Sequence, residues 1–288
     1  MQIQTMSIVV GNSSCNAKCP FCIAKTTPEI QKCDEVNWRN FDIACKLADK
    51  SGTTTALMTG KGEPTLFPSQ IGAYLEAMNK NNCFPIRELQ TNGIALAKEG
   101  SIDLYLKSWY EAGLTTICLS AVHYVQALNA EIYGPNYPDI KELVAKLRGF
   151  GYTVRLSIMI LKGYIDSEGE IRKLVNYCQR NNIKQLTLRP ITSPSLNDFQ
   201  GNKKIYNWIQ DNAIDGGVWY GMKDHISDVG NSVIKLSHGA EVFDYEGQNV
   251  CVATCITTNK STEKMRQIIF HPDGTVGFDW KYSGAILL

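Results

Sequence analysis

The stretch C-N-A-K-C-P-F-C, residues 15–22, decides the reading of this chain. It sets Cys15, Cys19 and Cys22 in a C-x3-C-x2-C loop. Three thiolates this close can hold three corners of a cubane iron–sulfur cluster. The fourth iron then has no protein ligand nearby. Most four-iron clusters use four cysteines, and an open position belongs to catalytic rather than structural metal sites. Two other readings stand beside this one. Structural zinc takes four ligands, commonly in separated pairs, and Cys33 is available as a fourth. A disulfide needs an oxidising compartment, of which the sequence carries no sign.

The context lies at Gly60-Lys61-Gly62-Glu63-Pro64. It follows the apolar run Thr55 to Thr59, which reads as a buried strand. A Gly-rich turn at a strand end lets backbone approach a ligand, and Glu63 puts a carboxylate there, suited to an ammonium group. Alone, this is an ordinary strand-to-helix turn. Paired with the cysteine loop, the combination resembles the radical S-adenosylmethionine (SAM) superfamily. That family carries C-x3-C-x2-C after its first barrel strand and a G-G-E-P-like motif after its second. Here Lys61 stands between the two glycines of that pattern.

The resemblance implies a [4Fe-4S] cluster on Cys15, Cys19 and Cys22, with SAM chelating the open iron. It implies one-electron cleavage of SAM to methionine and a 5′-deoxyadenosyl radical, which takes hydrogen from a substrate. The cofactors carry that chemistry, and the protein binds, orients and excludes water. An electron donor such as a flavodoxin or ferredoxin is implied, as is sensitivity to oxygen.

Composition agrees with a cytoplasmic enzyme. The chain has 288 residues, 44% hydrophobic and 20% charged, with ten cysteines and a net charge of +1. That length suits one large α/β domain with an appendage. The charge makes no electrostatic case for nucleic acid. No run of apolar residues is long enough to span a membrane, and residues 1–11 do not read as a signal peptide.

Strands and helices alternate. Strands are expected at Ser7 to Val10, Thr55 to Thr59, Ile86 to Gln90, Thr116 to Ser120, Thr153 to Ile160 and Gln185 to Arg189. Helices are expected at Trp38 to Lys50, Gln70 to Asn81, Leu104 to Ala112, Asp139 to Phe150, Ser167 to Asn181 and Asn202 to Asn212. Six such units read as parallel strands joined by helices. The pattern alone does not separate a barrel from an open sheet. The resemblance implies a partial (β/α)6 TIM barrel over residues 1–214, with its site at the C-terminal ends of the strands.

Several residues near strand ends are candidates. Thr91, in Q-T-N-G, and Ser120, in C-L-S-A, match hydroxyls of the molybdenum-cofactor cyclase-like branch and are expected near the ribose or carboxylate of SAM. Either also serves as a strand terminator or helix cap. Phe21 matches an aromatic position expected against adenine; as a lone Phe it reads as core. Arg155 and Arg189 sit in strands, where a buried guanidinium needs a partner. That partner is an anionic group of SAM or substrate, or a neighbouring carboxylate. His123 and Tyr124 follow strand four and are candidates for substrate contact or proton donation, against a structural role. His225, His238 and His271 show no metal-ligand spacing.

From Asp215 the texture changes. Gln267 to Phe278, around Pro272-Asp273-Gly274, carries a hairpin signature. With Cys251 and Cys255 before it, the layout resembles the C-terminal extension of the same branch, where a further cysteine completes an auxiliary cluster. That cysteine is missing after Gly274, and two thiolates do not anchor such a cluster as those branches do. Residues 215–288 are therefore expected to form a small β-hairpin extension capping the barrel. Arg266, Trp280 and Tyr282 are candidates for substrate contact, against surface pairing and hairpin packing. The substrate is expected to be a small or nucleotide-derived molecule. The rival readings are a peptide substrate and a non-catalytic metal-binding module.

Overall fold

The computed structural model describes residues 2–27, 35–191, 203–236, 239–253 and 264–288. Strand β1 (Gln2–Val9) delivers the chain into the cysteine loop. Helix α1 (Trp38–Lys50) has the bounds its periodicity gives; Asn37 caps it by accepting from the Asn40 N–H at 3.0 Å. Phe41, Ala44, Cys45 and Ala48 form its buried face. The units that follow are β2 (Thr55–Thr59) with α2 (Pro68–Lys80), and β3 (Ile86–Thr91) with α3 (Ser101–Glu111). Next come β4 (Thr116–Ala121) with α4 (Gln126–Tyr133) and α5 (Ile140–Gly149), then β5 (Thr153–Ile160) with α6 (Glu168–Arg180). β6 (Gln185–Pro190) precedes α7 (Lys203–Asn212) and α8 (Gly216–Val229). Among the described residues five further strands follow: β7 (Asn231–Lys235), β8 (Glu241–Tyr245), β9 (Gln248–Val252), β10 (Lys264–Phe270) and β11 (Val276–Gly277).

Strands β1 to β6 lie side by side in chain order, all parallel. This is the expected partial (β/α)6 barrel. The C-terminal segment does more than cap it. β9 joins β6 in parallel, with Thr187 opposite Cys251, and β10 joins β1 in parallel, with Ser7 opposite Ile269. Strands from both sides of residue 215 therefore belong to one 11-stranded sheet.

The P-D-G hairpin is present between β10 and β11. Its turn closes with the Gly274 N–H donating to the His271 carbonyl at 2.9 Å. Gly274 has a φ of 96° and lies so close to Asn37 that an added Cβ would sit 2.7 Å from Nδ2. Only glycine fits both demands. The Asn37 N–H donates to the Pro272 carbonyl at 2.8 Å, which ties the hairpin to the start of α1. Behind it, Phe41 packs on Phe270 and Tyr74 with ring centroids 5.0 and 5.2 Å apart. Aromatic pairs of this kind add about 0.5–1.5 kcal/mol each beyond burial.

Helix α4 has no counterpart among the expected elements. It carries the fully buried Asn129, which accepts from the Val122 N–H at 2.8 Å and donates to the His123 carbonyl at 2.6 Å. One side chain thus fixes the turn that leaves β4.

Candidate active site

A cavity of about 490 Å³ opens where the parallel strands end. Cys15, Cys19 and Cys22 line it from one side, and Gly60, Gly62 and Glu63 from another. Local hydrogen bonds explain why the loop stays there. The Glu63 N–H donates to the Ser14 carbonyl at 2.9 Å, and the Lys18 N–H to the Tyr133 carbonyl at 3.0 Å. Lys25 Nζ donates to the Cys19 carbonyl at 2.8 Å. A Cβ on Gly62 would lie 2.1 Å from the Ser14 carbonyl oxygen. The G-K-G-E-P turn and the cysteine loop therefore touch backbone to backbone, which only a glycine allows.

The thiols are electrically coupled. Cys22 is pulled below the ordinary thiol range to about 6, first by the hydrogen bond from Cys19, then by the Ala24 N–H, Lys25 and Lys61, against its burial. Cys19, the donor, is pushed up correspondingly. Thiolate is the metal-binding form, and the loop favours it at Cys22. Lys61 is itself buried; burial pulls its ammonium down to about 8, while Cys22 holds it up.

Glu63 is the most constrained carboxylate of the site. Its Oε1 accepts from the Thr65 N–H at 3.0 Å and from the Thr65 and Thr91 hydroxyls at 2.6 Å. Its Oε2 accepts from the Asn92 N–H at 2.9 Å. A carboxylate offers about four acceptor sites, so capacity remains on Oε2. Burial pushes this carboxyl up from its ordinary range, opposed by the Asn92 N–H and the two threonines. An ammonium at Oε2 would favour the ionised form. Thr91 lines the same cavity and is already engaged there. Its hydroxyl proton is committed to Glu63, and its oxygen accepts from the Gly93 N–H at 3.0 Å. Thr91 holds Glu63 in place and has no proton left for a ribose.

Phe21, Ser120, Arg189, Arg266 and Trp280 also line the cavity. Phe21 meets Tyr133 edge-on at 6.2 Å and Trp208 at 6.1 Å. Arg189 has a buried Nε with no hydrogen-bond partner among the described residues.

Four candidates lie outside the lining of this cavity. Arg155 is absent from the lining and forms an ion pair with Glu88 across the barrel interior, the carboxylate partner its burial demands. His123 and Tyr124 are also absent from the lining. His123 Nδ1 accepts from the Val125 N–H at 3.0 Å, its Nε2 lies 3.5 Å from Glu170, and Tyr124 Oη donates to Glu170 at 3.0 Å. Both side chains staple the end of β4 to α6. Tyr282 is 55% exposed and outside the lining. Cys251 lies half-buried on β9, and Cys33, Cys255 and His238 fall outside the described residues.

The sequence reading missed other contributors. Asn92 Nδ2 donates to Asn16 Oδ1 at 2.8 Å and reaches Cys15 Sγ at 3.8 Å. The T-N-G strand end, residues 91–93, carries its signal in the sequence. Ser7, Gln90 and Gln267 add polar groups to the wall, and no local motif marks them.

Among the described residues no three His, Cys, Asp or Glu side chains converge on a single ion. A cubane cluster asks for a different arrangement, one thiolate per iron rather than one ion held by three. The donor set fits such a cluster: three thiols on one cavity, one already biased to thiolate, with Lys25 and Lys61 offsetting negative charge.

Residues 9–178 match the family model described as the radical SAM superfamily. The GTP 3′,8-cyclase of Aquifex aeolicus (strain VF5) is 23% identical over 195 residues, covering 66% of this chain and 58% of the cyclase. Streptococcus suis SuiB bound to S-adenosylmethionine has a similar fold, with a TM-score of 0.58 at 16% identity over 95% of this chain and 60% of SuiB. A radical SAM methyltransferase from Sphaerobacter thermophilus superposes with a TM-score of 0.50 at 16% identity over 86% of this chain and 66% of the methyltransferase. The chain thus spans about three-fifths of the cyclase and of SuiB.

Proposed function

Because the chain belongs to the radical SAM superfamily, we propose that Cys15, Cys19 and Cys22 hold a [4Fe-4S] cluster and that the adjoining cavity binds SAM and a small or nucleotide-derived substrate. The observation that carries this is the shared cavity: three thiols and the Gly60–Glu63 turn face one space at the strand ends. When bound, the cluster and SAM together supply one-electron reductive cleavage and hydrogen abstraction, with the electron coming from a flavodoxin- or ferredoxin-like donor.

The chain's own residues bind and orient. Oε2 of Glu63 receives the amino group of SAM, and Thr65, Thr91 and the Asn92 N–H keep that carboxylate from turning away. Ser120 borders the ribose, and Phe21 gives the adenine an apolar face, backed by Tyr133 and Trp208. Arg189 supplies positive charge to a carboxylate or phosphate. Arg266 and Trp280, from β10 and the hairpin's continuation, form the substrate side and help exclude water. A volume near 490 Å³ lies in the small-ligand range, and the polar groups of Ser7, Gln90 and Gln267 suit a hydrogen-bonding molecule. A peptide substrate would have to thread the same opening.

The test is anaerobic reconstitution. Wild type is expected to hold four irons and to cleave SAM under dithionite, and a Cys15→Ala, Cys19→Ala, Cys22→Ala variant to hold none. Four irons in the variant would overturn the ligand assignment. Turnover assays with nucleotides and with peptides then separate the substrate classes.

A further inference from the structure

Lys61 is the residue by which this chain departs from the G-G-E-P-like pattern, and its surroundings give it a task. It is 6% exposed, although lysine is almost never buried without partners. Its neighbours leave the turn no freedom. Gly62 lies against the Ser14 carbonyl, and a Cβ on Gly60 would meet the Gly62 and Val10 carbonyl oxygens at 3.1 and 3.2 Å. From this pinned turn the Lys61 side chain reaches the end of the cysteine loop. There Nζ donates to the Thr27 hydroxyl, and Thr27 Oγ1 donates to the Ile23 carbonyl at 2.6 Å. Ile23 directly follows Cys22 and lines the cavity. On its other side the ammonium lies 5.7 Å from the ring centroid of Trp280, within cation–π range. Lys61 thus touches both the end of the cysteine loop and the Trp280 segment that lines the site.

We propose that Lys61 is a positioning residue for the cluster: it braces the C-terminal end of the cysteine loop through Thr27 and sets a buried positive charge beside the thiolates that raises the cluster's reduction potential. The inference rests on the cluster assignment above. Its physical basis is general. Iron–sulfur potentials respond to nearby charge, hydrogen bonding and solvent exposure. Reduction adds a negative charge, which a fixed cation stabilises most where water is excluded. A neutral side chain of similar length would fill the same space but lose both the brace to Thr27 and that stabilisation.

The experiment uses reconstituted holoenzyme and an EPR-monitored redox titration of wild type, Lys61→Met and Lys61→Arg, with iron counted in each. Lys61→Met is expected to keep four irons and to show a reduced-to-oxidised ratio about tenfold lower at a fixed poise, equivalent to about 59 mV for a one-electron couple. Lys61→Arg is expected to stay near wild type. An unchanged potential in a fully loaded Lys61→Met protein overturns the inference and leaves the functional reading intact. If Lys61→Met loses iron, recovery of both iron and potential in Lys61→Arg supports the inference, and failure of Lys61→Arg overturns it, because the charge is retained there. Wild type without iron overturns the functional reading and this inference together.

Discussion

Two carboxylates near strand ends, Glu63 and Glu170, show what separates a site from a staple. Glu63 is 3% exposed and collects donors from two consecutive strand ends: Thr65 after β2, and Thr91 and Asn92 at the end of β3. Glu170 lies in the first turn of α6 with its side chain 21% exposed, and gathers Tyr124, Lys173 and His123. Both networks are dense. One faces a cavity shared with three thiols, and the other faces outward and joins β4 to α6. Titratable residues clustered after a strand are therefore weak markers of function. A buried acceptor with capacity left, turned towards empty space, is the stronger one.

The comparison breaks most readily at Gly62. Gly62→Ala must push the Ser14 carbonyl away from a 2.1 Å contact. Backbone cannot yield as a flexible side chain does, so a loss of about 3 kcal/mol or more is expected, with iron retention lost. A Gly62→Ala protein with wild-type melting temperature and four irons would show that the two loops are not held together as described.

Glu63→Ala comes next. It strips an acceptor from two N–H groups and two hydroxyls, each worth about 1–3 kcal/mol if left unsatisfied. Water entering the vacated space limits the total to about 3 kcal/mol by denaturant unfolding. SAM affinity, read by calorimetry, is expected to fall at least about tenfold while iron content holds. Unchanged affinity would remove the G-K-G-E-P turn from the SAM site.

Tyr124→Phe probes the other network. It deletes one hydrogen bond to Glu170 and should cost about 1 kcal/mol, with SAM cleavage unchanged. Loss of cleavage in a well-folded Tyr124→Phe protein would return this corner to the active site.

The smallest effect is a pH dependence. Burial holds the folded His123 imidazole below its ordinary value, with Glu170 pulling the other way. The unfolded chain then binds the proton first, so stability is present above the ordinary histidine range, near about 6.5, and declines as pH falls below it. Glu170, held low mainly by Lys173, titrates in a more acidic window. His123→Asn keeps an acceptor for Val125 and should flatten the decline between about pH 6.5 and 5. The difference between the two proteins isolates His123 from His271, which burial also holds low. Identical slopes would show that His123 is protonated alike in both states.

What the sequence made legible was local. The cysteine spacing, the Gly60–Pro64 turn, the T-N-G strand end and the P-D-G hairpin each fit within a few residues, and the first three border one cavity. The bounds of α1 and β2 follow directly from periodicity and capping. What stayed hidden was contact between distant segments. No short pattern announces that β10 lies beside β1, or that Lys61 reaches Thr27 and Trp280. Arg155, His123 and Tyr124 misled for the same reason. Their partners, Glu88 and Glu170, come from other strands and helices, and only the assembled barrel shows the charge already answered.

The pairing of β1 with β10 also has a consequence in time. Thr5 donates to the carbonyl of Arg266, 261 positions later. A ribosome adding roughly 5–20 residues per second needs roughly 13–50 s to cross that interval. Throughout it, β1 carries an open edge on the side that β10 later covers. The cysteine loop has already emerged, and the wall bearing Arg266 and Trp280 does not yet exist. The cysteine loop is thus made long before its enclosing wall, and its thiols emerge before the rest of their own cavity.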